Sequence, residues 1–357
     1  MTVASTADRR IDHGRRVIRW HRRGVWLRVD LRTLVVGAML GTATVAITLA
    51  ALASGDYPLA LDQVVNALWG SADDFADTVV VEWRLPRALA AVVFGAALGA
   101  SGAVFQSLTR NPLASPDVVG FSAGAYTGAL IVMIVVHGTY LEVAAGAFIG
   151  GVVTAALVYL LAFRRGVQGF RLIIVGIGVS AMLSSINTWL MLTADLDTAL
   201  VAAVWGTGSL NGITWQQTGV GSVLVAVLLV VTLWMARPLR QLELGDDAAK
   251  ALGVRVEPAR LGLMLLSVAL IAVVTAAAGP ISFVALAAPQ IARRLTRTAG
   301  VSVAGPAVQG ALLLAASDYL AMHALPAMLP VGTITVVLGG AYLVWLLVHE
   351  ARRRSVR

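Results

Sequence analysis

Two arginines three residues apart, in Arg84-Leu85-Pro86-Arg87, open a long apolar run. A guanidinium fork pairs bidentately with carboxylates, so this spacing suits a socket for acidic groups on an external partner. Pro86 fits the first turn of a helix, where its missing N–H costs nothing. Cations there oppose the partly positive helix N-terminus, so they either anchor at the interface or await an acidic partner. A second set lies in 241–253, where Leu244, Gly245, Asp246, Asp247, Ala249, Leu252 and Gly253 form an amphipathic stretch too polar to span a bilayer. Early acids and a terminal glycine predict a short helix. It is either a plain connector or a surface offered to a soluble partner. Gln106, Asn187 and Thr188 are polar groups inside apolar runs; they either line a water-filled path or hydrogen-bond between helices. Asn111-Pro112-Leu113, followed by Ala114-Ser115-Pro116, reads as a tight turn.

No catalytic set accompanies these residues. The chain has no cysteine, which excludes disulfides, iron–sulfur clusters and Cys-ligated zinc. It has no phosphate-cradling GxxxxGK[ST] loop, no HExxH metal pair and no nucleophile elbow. We therefore expect no resident cofactor, no metal site and no enzymatic activity. Carboxylates deep in the apolar runs are scarce, which argues against a proton- or sodium-coupled carrier and against an intramembrane enzyme. If transport runs uphill, its energy comes from another protein.

The elements that must position these residues are membrane helices. Of 357 residues, 58% are hydrophobic and 13% charged, and mean hydropathy is +0.83. That balance predicts an all-α polytopic membrane protein. Ten spans are expected, at about 34–53, 85–108, 118–136, 143–163, 172–192, 219–235, 261–278, from the Gly279-Pro280 break to Arg293-Arg294, 303–320 and 331–348. The first is followed by an acidic segment holding Asp56, Asp62, Asp73, Asp74, Asp77 and Glu82. The fourth ends at Arg164-Arg165. Asp195, Asp197 and the Gly-rich Trp205–Ser209 lie in the link before the sixth. His323 and Pro326 precede the tenth. Gly37/Gly41, Gly95/Gly99, Gly124/Gly128 and Gly146/Gly150 are spaced as small-residue packing ridges.

Charge orients this arrangement. With ten spans, all of the 27 Lys and Arg residues except Arg84 and Arg87 fall on one side. Positive charge marks the cytoplasmic side, so both termini are expected there and Arg84 and Arg87 outside. The net charge of +8 is then a topology signal and an attraction for anionic lipid rather than for nucleic acid. Residues 1–32 form a basic cytoplasmic tail, expected to be partly disordered or held at the membrane surface. Residues 33–350 form the membrane domain with a cytoplasmic segment at 237–260, and 351–357 a second basic tail.

The order and spacing of several pieces resemble the FecCD family of ABC importer permeases. They are Arg84-Leu85-Pro86-Arg87, Gly102…Gln106…Asn111-Pro112-Leu113, Pro116 and Gly120, Leu244-Gly245…Leu252-Gly253, Gly279-Pro280-Ile281-Ser282-Phe283…Pro289, and Leu329-Pro330-Val331-Gly332. Glu82-Trp83-Arg84, Phe170-Arg171-Leu172 and Gly208-Ser209-Leu210-Asn211-Gly212 are similar in finer detail to the G-type subunits of ferric enterobactin permease pairs.

The resemblance implies a type II importer permease of the cobalamin-permease kind in the bacterial cytoplasmic membrane, moving a ferric siderophore, catecholate or otherwise, or haem or cobalamin. It implies a second permease subunit, identical or different, around a central path. It further implies two cytoplasmic ATPase copies, which hold ATP and Mg and receive 244–253, and an extracytoplasmic binding protein whose glutamates meet Arg84 and Arg87. Three positions depart from the family pattern. Met322 stands in place of a third docking arginine, Met328 in place of a Glu, and Gln290 in place of a His. A different second permease that supplies the missing arginine would explain the first.

Overall fold

A computed structural model describes residues 17–22, 25–70, 74–117, 119–162, 169–298, 300, 302–324 and 328–355. Asp73, Val118, Arg164, Arg165, Pro326 and the arginines before Val17 lie outside them.

Each of the ten segments expected to span is helical. Helix α1 is Leu31–Ala53. Two short helices follow it, α2 (Leu61–Leu68) and α3 (Asp74–Asp77), then a π-helical turn Thr78–Arg84 and α4 (Leu85–Thr109). Helix α5 (Phe121–Leu130) continues as a π-helical turn through Val136. After it come α6 (Tyr140–Ala162), α7 (Gly169–Thr193), α8 (Leu196–Gly206) and α9 (Trp215–Trp234). Helices α10 (Ala236–Glu243) and α11 (Asp246–Ala251) lead to α12 (Val256–Ala278), α13 (Val284–Thr296), α14 (Ala304–His323) and α15 (Val331–Ser355). Six described stretches are long and apolar enough to cross a bilayer by themselves: α1, Phe75–Thr109, α6, α7, α9 and α12.

The interior is built around α4. Its Ala, Gly and Ser residues let neighbours close in on every side, and nearly the whole helix is buried. Gly95 and Gly99 lie directly on Pro306 and Gly310 of α14, and a side-chain carbon at any of the three glycines would strike the facing backbone. Ser101 of α4 and Ser267 of α12 donate to each other's carbonyls at 2.7 and 3.0 Å. This is hydroxyl glue between small-residue faces, as lipid-embedded packing favours. Gly124 and Gly128 of α5 interlock in the same way with Gly146 and Gly150 of α6. The Gly37/Gly41 ridge does not follow this pattern. A side-chain carbon at either position would meet nothing within 4 Å, so that ridge packs on nothing among the described residues.

Five elements depart from the expectation. Val17–Arg22 and Val25–Asp30 pair as an antiparallel hairpin running straight into α1, with Trp20 opposite Leu27. Both strands are rich in Val, Ile and Trp, which favour a pleated strand. The acidic segment after α1 is largely helical, because Gln63 caps the Ala60 N–H to start α2 and the second span extends outward through α3 and the π turn. The link before the sixth span holds α8, started by the Asp195 carboxylate accepting from the Thr198 N–H at 2.9 Å. The 241–253 stretch is two helices rather than one. Gly245 breaks it at φ 112°, ψ 158°, a conformation open almost only to glycine. Helix α15 also runs past 350 into the basic tail.

Candidate functional site

Most of the candidate residues gather at the two ends of α4. At its first turn a cavity of about 1050 Å³ opens among α1, α4, α14 and the 210–215 link. Arg84 donates from Nη1 to the Leu52 carbonyl and from Nη2 to the Tyr57 carbonyl, both at 2.7 Å. Leu52 belongs to the last turn of α1, whose carbonyls form the negative end of that helix dipole. An arginine that is electrostatically wrong for α4 is therefore right for α1.

Arg87 makes a bidentate pair with Asp318 of α14. Its Nε lies 2.9 and 3.1 Å from the two carboxylate oxygens and its Nη2 lies 2.8 Å from Oδ1. The Arg87 and Asp318 side chains are only 11% and 4% exposed. A guanidinium carries five N–H donors and these contacts use only some of them, so a further carboxylate can join at either arginine. The rest of the wall is aromatic and sulfur-bearing. Tyr57, Phe75 and Trp83 meet edge to face at 5.2 and 6.4 Å. Trp215, His323, Met322 and Met328 line it too, and Asp56 and Glu82 add two carboxylates. Two of the three departures from the family pattern thus fall in this one cavity.

At the other end, α4 stops at Arg110 in the left-handed conformation, φ 50°. The Asn111 N–H reaches back to the Gln106 carbonyl at 3.2 Å. The Asn111 side chain accepts from the Leu113 N–H at 2.9 Å, the tight turn expected at 111–113. Gln106 and Gln290 join that turn to α13. Gln290 donates to the Gln106 side chain at 2.8 Å and to the Pro112 carbonyl at 3.0 Å, and Gln106 donates to the Leu286 carbonyl at 3.0 Å. Pro289 removes the N–H that would pair with the Ala285 carbonyl, and that carbonyl packs against Gly102. Gly102, Gln106, Pro289 and Gln290, scattered in sequence, are one contact between α4 and α13.

The segment α10–α11 lies beside this end. Leu244 and Leu252 are 68% and 56% exposed, while Ala249 is buried. Asp247 is exposed and pairs with Lys250 at 3.6 Å. Asp246 turns inward, to Arg260 at 2.7 Å and Arg110 at 3.3 Å. The hydrogen bond from Arg260 holds the Asp246 carboxyl below the usual carboxylate range, against the opposing effect of partial burial. Gly253 ends the segment in the left-handed region, φ 83°.

Asn187 is buried between α7 and α5, accepting from Thr127 at 2.6 Å. Gln106 is likewise buried and satisfied by protein. Thr188 stands on an exposed face of α7, its hydroxyl returned to the Ser184 carbonyl at 3.0 Å. Of the three polar residues considered for a path, two serve as interhelical contacts and only Thr188 looks outward from the subunit.

Several partners were not apparent from sequence: Asp318 for Arg87, Arg110 and Arg260 for Asp246, and Asp117. Asp117 accepts from the Phe283 N–H at 3.2 Å, where α13 begins with a left-handed, non-glycine residue at φ 69°. Burial pushes the Asp117 carboxyl above its ordinary range. The only hint in sequence was a carboxylate among otherwise apolar residues beside Pro116. Three glycine-bearing segments also converge near the ends of α8, α12 and α15. The Gly332 N–H donates to the Gly208 carbonyl at 3.0 Å, and the Ser209 N–H to the Ala278 carbonyl at 2.8 Å.

Known proteins share this architecture. The ferric enterobactin transport system permease protein FepG of Escherichia coli K12 is 50% identical over 91% of this chain and 99% of its own. The achromobactin transport system permease protein CbrC of Dickeya dadantii is 36% identical over 95% and 98%. An inward-facing structure of a metal-chelate type ABC transporter superposes with a TM-score of 0.80 at 27% identity, covering 89% of this chain and 99% of that one. The profile of the FecCD transport family matches residues 42–349. A full-length match to permeases and a shared helical bundle leave one assignment: this chain is a polytopic membrane protein of the FecCD transport family.

Proposed function

We propose that the chain is the permease subunit of an ATP-driven importer that carries a ferric siderophore of the catecholate, enterobactin type into the cytoplasm. The observation that carries this reading is the 50% identity to FepG along nearly the whole of both chains. Relatives named for achromobactin and hemin stand at 36% and 35%.

In this reading both termini are cytoplasmic, which the charge asymmetry supports. An extracytoplasmic binding protein seats acidic residues at Arg84 and Arg87. Arg84 accepts the first carboxylate, and Arg87 adds a second while still holding Asp318. A second permease subunit closes the path along faces that include Thr188 of α7. The replacement of the third family arginine by Met322 favours a different partner subunit over a second copy. Two ATPase subunits supply ATP hydrolysis, with Mg, and engage Leu244 and Leu252. The chain itself contributes gating and docking, not catalysis.

Uptake of radio-iron in a deletion strain and its complemented parent tests the cargo. Ferric catecholate, ferric hydroxamate and labelled cobalamin would be supplied in parallel. Selective loss of ferric catecholate uptake, restored by this chain, is the expected result. Intact iron uptake with lost cobalamin uptake would keep the family and overturn the cargo.

A further inference from the structure

We propose that Glu243 and Asp246 are positioning residues that transmit movement of the exposed Leu244–Gly245 knuckle into the core of the bundle. The proposal rests on the reading of α10–α11 as the ATPase-facing segment. These two carboxylates bracket the knuckle, one at the last residue of α10 and the other at the first residue of α11. Each is tied to two core elements. Glu243 accepts from the Ser107 hydroxyl of α4 at 3.1 Å and faces Arg293 of α13 at 3.8 Å. Asp246 pairs with Arg260 of α12 at 2.7 Å and with Arg110, which ends α4, at 3.3 Å. Arg110 also donates to the Leu242 carbonyl at 2.9 Å, and Arg260 is held from its other side by Glu257 at 3.0 Å.

The mechanical consequence follows from the backbone. Between α10 and α11 the chain turns through Gly245, which offers little stiffness of its own. A push on Leu244 would be absorbed by that hinge if nothing crossed it. Arg110 spans it, holding the Leu242 carbonyl on one side and Asp246 on the other, and the two carboxylates anchor both flanks to α4 and reach α12 and α13 besides. Arg260 is 8% exposed and holds the pair from the protein side, while the Asp246 side chain is 42% exposed and meets water. The same α4 carries Arg84 and Arg87 at its far end, so displacement at the knuckle reaches the outer cavity through one helix.

The test uses the assembled importer in lipid nanodiscs, with its partner permease, ATPase subunits and binding protein. Three quantities are read: co-purification of the ATPase subunits, the ratio of binding-protein-stimulated to basal ATP hydrolysis, and transport in proteoliposomes. For E243Q/D246N the ATPase subunits are expected to co-purify as with the native chain. The stimulation ratio and transport should each fall by at least about tenfold, since two carboxylates and their charge-assisted contacts are lost together. D246E should recover at least half of the ratio, which a role in folding alone would not explain. L244S/L252S should instead lose co-purification; retained co-purification there would overturn the underlying reading of the segment, not the struts. Full stimulation and transport by E243Q/D246N would overturn the struts.

Should that variant fail to fold, the absence of native cysteine offers a second route. S107C/E243C would be bridged by a short thiol crosslinker in the assembled importer. If the strut moves as a unit, crosslinked protein transports within about twofold of the same variant left unbridged, less than one thermal factor of ten. Arrest by the crosslinker means the contact must open in every cycle, and the strut is wrong.

Discussion

Replacing Asp318 by Asn tests the arrangement at the outer cavity. The Arg87–Asp318 pair has three contacts between 2.8 and 3.1 Å, and both side chains are nearly enclosed. Removing one partner of a buried pair leaves an uncompensated charge, at a cost of about 3–5 kcal/mol. Arg87 borders an open cavity and can draw water to itself, so the lower figure, about 3 kcal/mol, is expected for D318N. Replacing both partners by apolar residues of similar size, R87M/D318L, should bring stability back to within about 1 kcal/mol of the native chain. The assay is SDS-titrated unfolding in mixed micelles, run as a double-mutant cycle. The same D318N variant should bind the binding protein about tenfold more tightly at low salt, because Arg87 no longer shares its charge, and the gain should fade at high salt. A cost under about 1 kcal/mol with no coupling in the cycle would show that the pair is solvent-relaxed. The account of Arg87 as a donor held by Asp318 would then fall.

Three further outcomes are expected. R84E/R87E should abolish salt-sensitive docking of the binding protein in a direct binding measurement, and unchanged affinity would remove both arginines from the interface. G99A should destabilise the subunit by about 1–3 kcal/mol through overpacking against Pro306, whereas G41A, with open space around it, should be neutral within about 0.5 kcal/mol in the same titration. The Asp246 carboxyl lies below its ordinary value in the folded protein. Its contribution is therefore fully present above the unfolded value of about 3.9 and is lost only as pH falls through the lower folded value. The ratio of native to D246N coupling should accordingly stay flat from about pH 5.5 to 8, measured as stimulated ATP hydrolysis.

The spans were legible because apolar length is a local property, and so were the turn at 111–113 and the stop at Gly253, where single residue types dictate the backbone. The pairing of Gly95/Gly99 with Pro306 and Gly310 was half legible: the ridge could be read, its partner could not. Long-range polar partners were hidden altogether. Arg87 meets an aspartate 231 positions away, and Gln106 meets Gln290 across 184. No periodicity encodes such pairs. The polar residues inside spans illustrate the ambiguity: Gln106 and Asn187 could have faced water or other helices, and only packing decides. Helix α8 was missed because a flanking run of glycine and aspartate outweighed its 11 apolar-rich residues.

The two ends of the molecule are linked by the helix that the rest of the bundle encloses. Helix α4 carries Arg84 and Arg87 at one end and Ser107 and Arg110 at the other, over 25 residues, or about 37 Å at helical rise. Glycine, alanine and serine permit close approach on the α14 and α12 faces, and buried Phe94, Leu98 and Phe105 fill the space between them. A helix gripped in this way transmits displacement without bending, and its neighbours must slide or rotate about it. Spin labels at W83C and L113C should therefore hold one separation with and without ATP bound to the partner subunits. A label pair joining L113C to an exposed face of α7, such as T188C, should change. If the Trp83–Leu113 distance shifts while the second pair stays fixed, α4 is the part that deforms, and the path from the ATPase side to the outer cavity runs elsewhere.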